Sequence, residues 1–169
     1  MFKQSKFIIL FLVVVLAVGL LSGCGKKQEI DGADTSQEET GTGDKAKEEI
    51  KIGTLGPLTG DVASYGVSTK NGVEIAVDEF NKGGGMNGRP IRLISEDTRG
   101  EQTETANAAS KLIERDKVTA IVGGVISSET MTAGPITNDA KVVMISSSST
   151  AVGVPEIGDY VFRNCLSDE

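Results

Sequence analysis

The segment Thr119–Thr150, TAIVGGVISSETMTAGPITNDAKVVMISSSST, leaves few ways for the chain to fold. Val118–Val122 and Val142–Ile145 are short β-branched apolar runs without polar alternation, the composition of strands buried on both faces. Each run ends in small and hydroxylated residues, GGVISS after the first and SSSST after the second. Between them Ser128–Asp139 is long enough for one crossover helix. Two buried strands joined by a helix imply parallel neighbours with a right-handed crossover. In such a sheet the loops at the carboxyl ends of the strands line the crevice where ligands bind. Ser and Gly are also ordinary turn formers, so these two loops acquire meaning only from the rest of the chain.

The same alternation starts earlier. Ile50–Leu55 reads as a first strand, broken by Gly56-Pro57-Leu58-Thr59-Gly60. After a loop to Gly66, Val73, Ala76, Val77 and Phe80 fall on one helical face, with Glu74, Asp78 and Lys82 opposite. Gly83–Gly88 ends that helix, and Pro90–Glu96 alternates as a second strand. Beyond the polar loop Asp97–Gly100, Glu101–Arg115 follows as a helix with Ala106, Ala109 and Ile113 on its apolar stripe. Tyr160–Arg163 is a last short strand. The order βαβαβαβ plus a strand predicts an α/β fold, a parallel sheet with helices on both faces.

Residues 1–23 stand outside that pattern. Lys3 and Lys6 precede the apolar run Ile8–Leu21, which is shorter than a spanning helix and suits a signal peptide. Leu21-Ser22-Gly23-Cys24 resembles the lipobox of bacterial lipoproteins, which implies acylation of Cys24 as the mature amino terminus. Two acyl chains anchor stably where one is marginal. Residues 24–49, the acylated Cys and an acidic, Gly- and Thr-containing segment, form a flexible linker too poor in apolar residues to order itself. The folded part is then residues 50–169.

Composition removes several functions. The formal charge is −7, and the first 23 residues contribute two lysines and no acid, so no basic surface suggests nucleic acid. Histidine is absent, which excludes His triads and His metal ligands; neither a cofactor nor a metal is implied. With Cys24 lipidated, Cys165 has no disulfide partner and reads as a half-buried packing residue. Gly83-Gly84-Gly85-Met86-Asn87-Gly88 spells G-x-G-x-x-G, but it follows a helix and precedes a strand, the reverse of a dinucleotide site. Glu96 and Asp97 are adjacent in a strand end and so face opposite sides of the sheet.

With these elements in order, residues 50–169 resemble the amino-terminal part of the branched-chain amino-acid (Leu/Ile/Val) binding family of ABC transporter substrate-binding proteins. IKIGTLGPLTGDVASYG resembles its first strand and cleft loop, and NGVEIAVDEFNKGGGMNGRPIRLISED its first helix, connector and second strand. VTAIVGGVISSET and VVMISSSST resemble its third and fourth strand ends, and YVFRNCLSD its approach to the hinge. The resemblance implies the first lobe of a type I periplasmic-binding clamshell, with the second lobe missing and the chain truncated. It also implies a site. Ser127 would hold the ligand carboxylate through its hydroxyl and N–H, Ser148 would offer a carbonyl to the ammonium, Ser149 and Thr150 would line the same loop, and Tyr65 would cover the ligand side chain. Ser127 and Ser128 sit where a helix begins, and its unpaired N–H groups favour an anion. The residues alone leave Ser128 open between ligand contact and helix N-cap, and Tyr65 between ligand cover and packing on the sheet rim. Some members join the second and third strand loops by a disulfide; here those places are Arg99 and Ile126.

The function implied is a lipid-anchored, extracytoplasmic binding protein, not an enzyme, that captures amino acids for ABC permease subunits, attached to the cell membrane and without nucleic-acid partners. A sensing ectodomain on the same fold is the alternative, which a downstream transmembrane helix would favour. A hydrolase using Ser127 or Ser148 is opposed by the lack of His and of any Ser-x-x-Lys.

Overall fold

The computed structural model describes residues 48–168. The signal-peptide and linker expectations, Cys24 included, lie outside those residues except at the linker's last two, where the Glu48 carbonyl accepts from Arg89 Nε and Glu49 pairs with Arg92.

Five strands, β1 (Ile50–Gly56), β2 (Ile91–Asp97), β3 (Ala120–Gly123), β4 (Val143–Ser146) and β5 (Val161–Arg163), form one sheet in the order β2-β1-β3-β4-β5. Every pairing is parallel. Three helices connect them: α1 (Ala63–Lys82), α2 (Gln102–Ser110) continued by a π turn at Lys111–Arg115, and α3 (Ser127–Asp139). A 3-10 turn, Val154–Glu156, precedes β5.

The register defines the two faces. On one, Ile94, Gly53, Ile121, Met144 and Val161 stand side by side across all five strands. Ile121, Met144 and Val161 join Leu55, Ala109, Leu112, Ala133 and Val154 in a single buried cluster under α2 and α3. Gly53 leaves its place open to Leu112, whose Cδ1 would lie 3.0 Å from a Cβ there. One residue along, the opposite face carries the row Ser95, Thr54, Val122, Ile145 and Phe162. There α1 packs chiefly on β1 and β2. Thr54 is 4% exposed, but Ile145 is 37% and Phe162 49% exposed.

Several boundaries move relative to expectation. Helix α1 begins at Ala63, not after Gly66, because Gly66 rests against Pro57; a Cβ at Gly66 would come within 2.1 Å of the Pro57 carbonyl oxygen. On α1, Val73 and Val77 are half-buried while Ala76 and Phe80 are exposed, so the expected apolar face is only partly used. On α2 the buried residues are Thr105, Ala108 and Ala109, followed by Leu112 in the π turn; Ala106 and Ile113 are half-buried. The π turn shifts the stripe, since an extra residue per turn rotates all that follows. The glycine-rich segment is a helix end and connector, with Gly84, Gly85 and Gly88 at positive φ and a bridge between Met86 and Arg89. Glu96 and Asp97 do face opposite ways: Glu96 pairs with Lys111, and Asp97 reaches the β1–α1 loop.

Candidate functional site

At the carboxyl ends of β1, β3 and β4 three segments meet: the start of α1, the Gly124–Ile126 turn into α3, and the Ser146–Thr150 loop. Gly124 makes the turn into α3 possible. Its φ is +66°, and a Cβ there would meet the Thr130 hydroxyl at 2.6 Å. The Gly124 carbonyl then accepts hydrogen bonds from Thr130 Oγ1 at 2.6 Å, Ser146 Oγ at 2.6 Å and Ser149 Oγ at 3.0 Å. Three hydroxyls from two segments thereby surround one buried oxygen, and Ser149 and Thr130 also lie within hydrogen-bond distance of one another, so one of these two can turn its hydrogen to the other in place of Gly124. Ser149 is fully buried. Its side chain braces the rim from beneath and does not line it, contrary to the sequence expectation.

The remaining candidates lie at the surface. Ser127 is half-buried at the first position of α3, and its Oγ accepts from the Ala151 N–H at 3.3 Å. Its hydroxyl hydrogen has no partner among the described residues. The backbone N–H groups of Ser127 and Ser128 also bond to nothing among the described residues, as the first turn of a helix dictates. Ser128 is exposed and is not the N-cap; that position is Ile126, which has no polar side-chain atom. Ser148 is spent on the neighbouring loop, donating its hydroxyl to the Val125 carbonyl at 2.6 Å. The Thr150 hydroxyl donates to Asp168 Oδ2 at 2.8 Å, and its carbonyl accepts from Arg163 Nη1 at 3.1 Å and the Asp168 N–H at 2.9 Å. The structure thus joins Ser127 to Ala151, beside Thr150, while turning the Thr150 hydroxyl toward the carboxy-terminal segment. Cys165 is half-buried and its thiol donates to the Ser149 carbonyl at 3.2 Å, the packing role expected of it.

Tyr65 lies in the first turn of α1, 60% exposed, so it is not packed on the sheet rim. One turn further, Thr69 shares a 3.2 Å hydroxyl contact with Ser147. The Tyr65 side of α1 is therefore the side that meets the β4 loop.

Two carboxylates hold these loops, and sequence reasoning gave neither that role. Asp97 Oδ1 accepts the N–H groups of Leu58 at 2.8 Å, Thr59 at 3.3 Å and Arg99 at 2.9 Å, and Oδ2 accepts the Thr59 hydroxyl at 2.6 Å. Burial alone would raise its pKa, but the bonds from Thr59, Arg99 and Leu58 outweigh it and hold the carboxyl below its usual value. Glu129 is 1% exposed and sits at the third position of α3. Its Oε1 accepts the Thr98 hydroxyl, and Oε2 accepts the N–H of Val125 at 2.9 Å and of Ile126 at 3.4 Å. Here burial dominates and pushes the pKa up, against those three bonds and with the charge of Asp97 adding to the rise. A Glu three residues into a helix was the available signal for the backbone contact. Nothing local pointed to Thr98. Among the described residues no cluster of three acids or thiols is arranged to hold a metal.

A family model described as periplasmic binding protein matches residues 49–165. The chain belongs to the periplasmic binding protein family. Its sheet and helices are those of the type I fold. The chain is 34% identical over 122 residues to an amino acid binding protein of Pseudomonas aeruginosa, covering 72% of this chain and 33% of that protein. A Leu/Ile/Val-binding protein of Rhizobium johnstonii is 36% identical over 125 residues, covering 73% and 34%. Among solved structures, the branched-chain amino acid transporter substrate-binding protein of Streptococcus pneumoniae in complex with isoleucine aligns with TM-score 0.69 at 35% identity, over 71% of this chain and 34% of that one. The chain thus spans about a third of the length of these periplasmic binding relatives.

Proposed function

We propose that this chain presents the first-lobe wall of an amino-acid site in an extracytoplasmic, lipid-anchored substrate-binding protein of an ABC importer, with branched-chain amino acids as ligands and permease subunits as partners. The observation that carries the reading is the amino end of α3: two N–H groups and the Ser127 hydroxyl hydrogen, all without partners among the described residues, gathered at the carboxyl end of β3. Such a group suits a carboxylate, which gains both hydrogen bonds and the positive end of the helix dipole. Tyr65, exposed on the side of α1 that meets the β4 loop, would cover the apolar side chain of the ligand. The Ser148 carbonyl, with its own hydroxyl turned away to Val125, is the proposed ammonium acceptor. We assign Thr150 to the same rim through its backbone neighbour Ala151, and Ser128 through its N–H. The one-third coverage of the relatives supports a second lobe as the opposite wall. The proposed organisation is signal peptide 1–23, lipidated Cys24 with linker to 49, and binding unit 50–169.

Titration of the purified protein with leucine, followed by amide NMR, tests this. One wall alone is expected to bind at about millimolar strength, near −4 kcal/mol, with shifts concentrated at Ser127 and Ser128. In a two-lobed form Ser127→Ala is expected to weaken binding about ten- to a hundredfold, because hydrogen bonds to charge contribute about 1.5–3 kcal/mol each. Ser147→Ala, whose hydroxyl meets Thr69, serves as the control. Intact affinity in Ser127→Ala would place the ligand elsewhere. A palmitate analogue should label the wild type and not Cys24→Ala; equal labelling would remove the anchor.

A further inference from the structure

We propose that Glu129 is the positioning residue of this rim: its carboxylate clamps the β2–α2 loop to the β3–α3 turn and so sets where Ser127 and Ser128 present their donors. The inference rests on the rim being a binding site. Three separate segments give the carboxylate its partners or its place. Oε1 takes the hydroxyl of Thr98, from the loop after β2. Oε2 takes the N–H groups of Val125 and Ile126, from the turn after β3. The side chain itself rises from the first turn of α3, between the two proposed donors and the helix body.

A buried carboxylate is costly unless its lone pairs are used, so its burial at 1% exposure makes this arrangement demanding. Moving either loop away leaves buried carboxyl oxygens without partners. Thr98 is equally committed: it is fully buried, its N–H donates to the Gly56 carbonyl at 3.0 Å, and its Oγ1 accepts from the Gly100 N–H at 3.3 Å. The end of β1, the loop after β2 and the start of α3 are therefore coupled through Thr98 and Glu129. Neither residue is offered to the ligand. Their effect on binding acts through where the N–H groups of Ser127 and Ser128 point. Asp97 is the charged group that acts on Glu129 from β2, and its own carboxylate is occupied by the β1–α1 loop and Arg99.

The test separates a clamp from a general contributor to stability. Amide hydrogen exchange in the purified wild-type protein is compared with Glu129→Gln, Thr98→Val and Thr98→Ser. Glu129→Gln should speed exchange at Val125 and Ile126 about tenfold beyond any change at the core amides of Ile121 and Met144. Thr98→Val should loosen the same turn, and Thr98→Ser, which restores the hydroxyl, should return it to wild-type protection. In a leucine titration the Gln and Val variants should bind about tenfold more weakly, with Thr98→Ser matching wild type. Exchange at Val125 and Ile126 that rises only in step with the core overturns the clamp. A loosened turn with unchanged leucine affinity overturns the positioning role. Should Glu129→Gln not fold, the Val and Ser pair at 98 decides by the same criteria. A wild type that shows no leucine shifts removes the proposed function, while the exchange data still decide the clamp.

Discussion

Met144 and Ile145 are neighbours in β4, yet they occupy opposite circumstances. Met144 is fully buried in the row that α2 and α3 cover, whereas Ile145 is 37% exposed in the row that α1 leaves half open. On the covered face Ile121, Met144 and Val161 form a continuous core. On the other face exposure grows from Thr54 at 4% to Phe162 at 49%, because α1 lies over β1 and β2 and nothing among the described residues covers β5. Both rows are equally apolar at β4 and β5, so composition does not separate them. What separates them is which crossover helix follows which strand. The β2-to-β3 and β3-to-β4 connections lay their helices on one face, and only the β1-to-β2 connection serves the other.

The sharpest way to break this contrast is to truncate the neighbours in turn. Met144→Ala is expected to cost about 2–5 kcal/mol in urea unfolding, since it removes transfer energy and leaves a cavity in a closed cluster. Leu112→Ala, which empties the slot over Gly53, should fall in the same range. Costs below about 1 kcal/mol at both sites would show that the core is looser than the packing indicates.

A second contrast lies at the rim, between the two loop-holding carboxylates. The Asp97 pKa is lowered, so its stabilisation is present above the unfolded carboxyl value and is lost as pH falls through the folded one. The Glu129 pKa is raised, so its contribution is present below the unfolded value and is lost as pH rises through the folded one. Denaturation midpoints measured from about pH 2 to pH 8 should therefore lose their acid-side slope in Asp97→Asn and their slope just above the usual Glu range in Glu129→Gln. Identical pH profiles in the two variants would contradict the assignment.

The smallest effect is expected on the open face. Ile145→Ala should cost about 1 kcal/mol, because much of the side chain is already in water and no closed cavity forms. A loss as large as that of Met144→Ala would mean that the open face is covered in solution. Self-association detected by sedimentation, abolished by Phe162→Ser, would identify a second copy as the cover.

The sequence by itself determined the strands, their succession along the chain and the parallel sheet, because each strand is a short apolar or alternating run closed by Gly, Ser, Asp or Asn, a signal carried by adjacent residues. It likewise placed Ser127 at the mouth of a strand–helix turn and reduced the glycine run to a connector, both consequences of local order along the chain. It did not determine the directions of the rim hydroxyls. Ser149 is buried against Gly124 and Thr130, Ser148 turns to Val125, and Thr150 turns to Asp168, partners 18 to 25 positions away that become neighbours only when the strands align. The start of α1 depends in the same way on Pro57 meeting Gly66, and the Glu129 clamp on Thr98, 31 positions earlier. A hydroxyl or carboxylate can serve many partners with similar energy, so its choice is settled by whichever backbone the tertiary fold brings within about 3 Å.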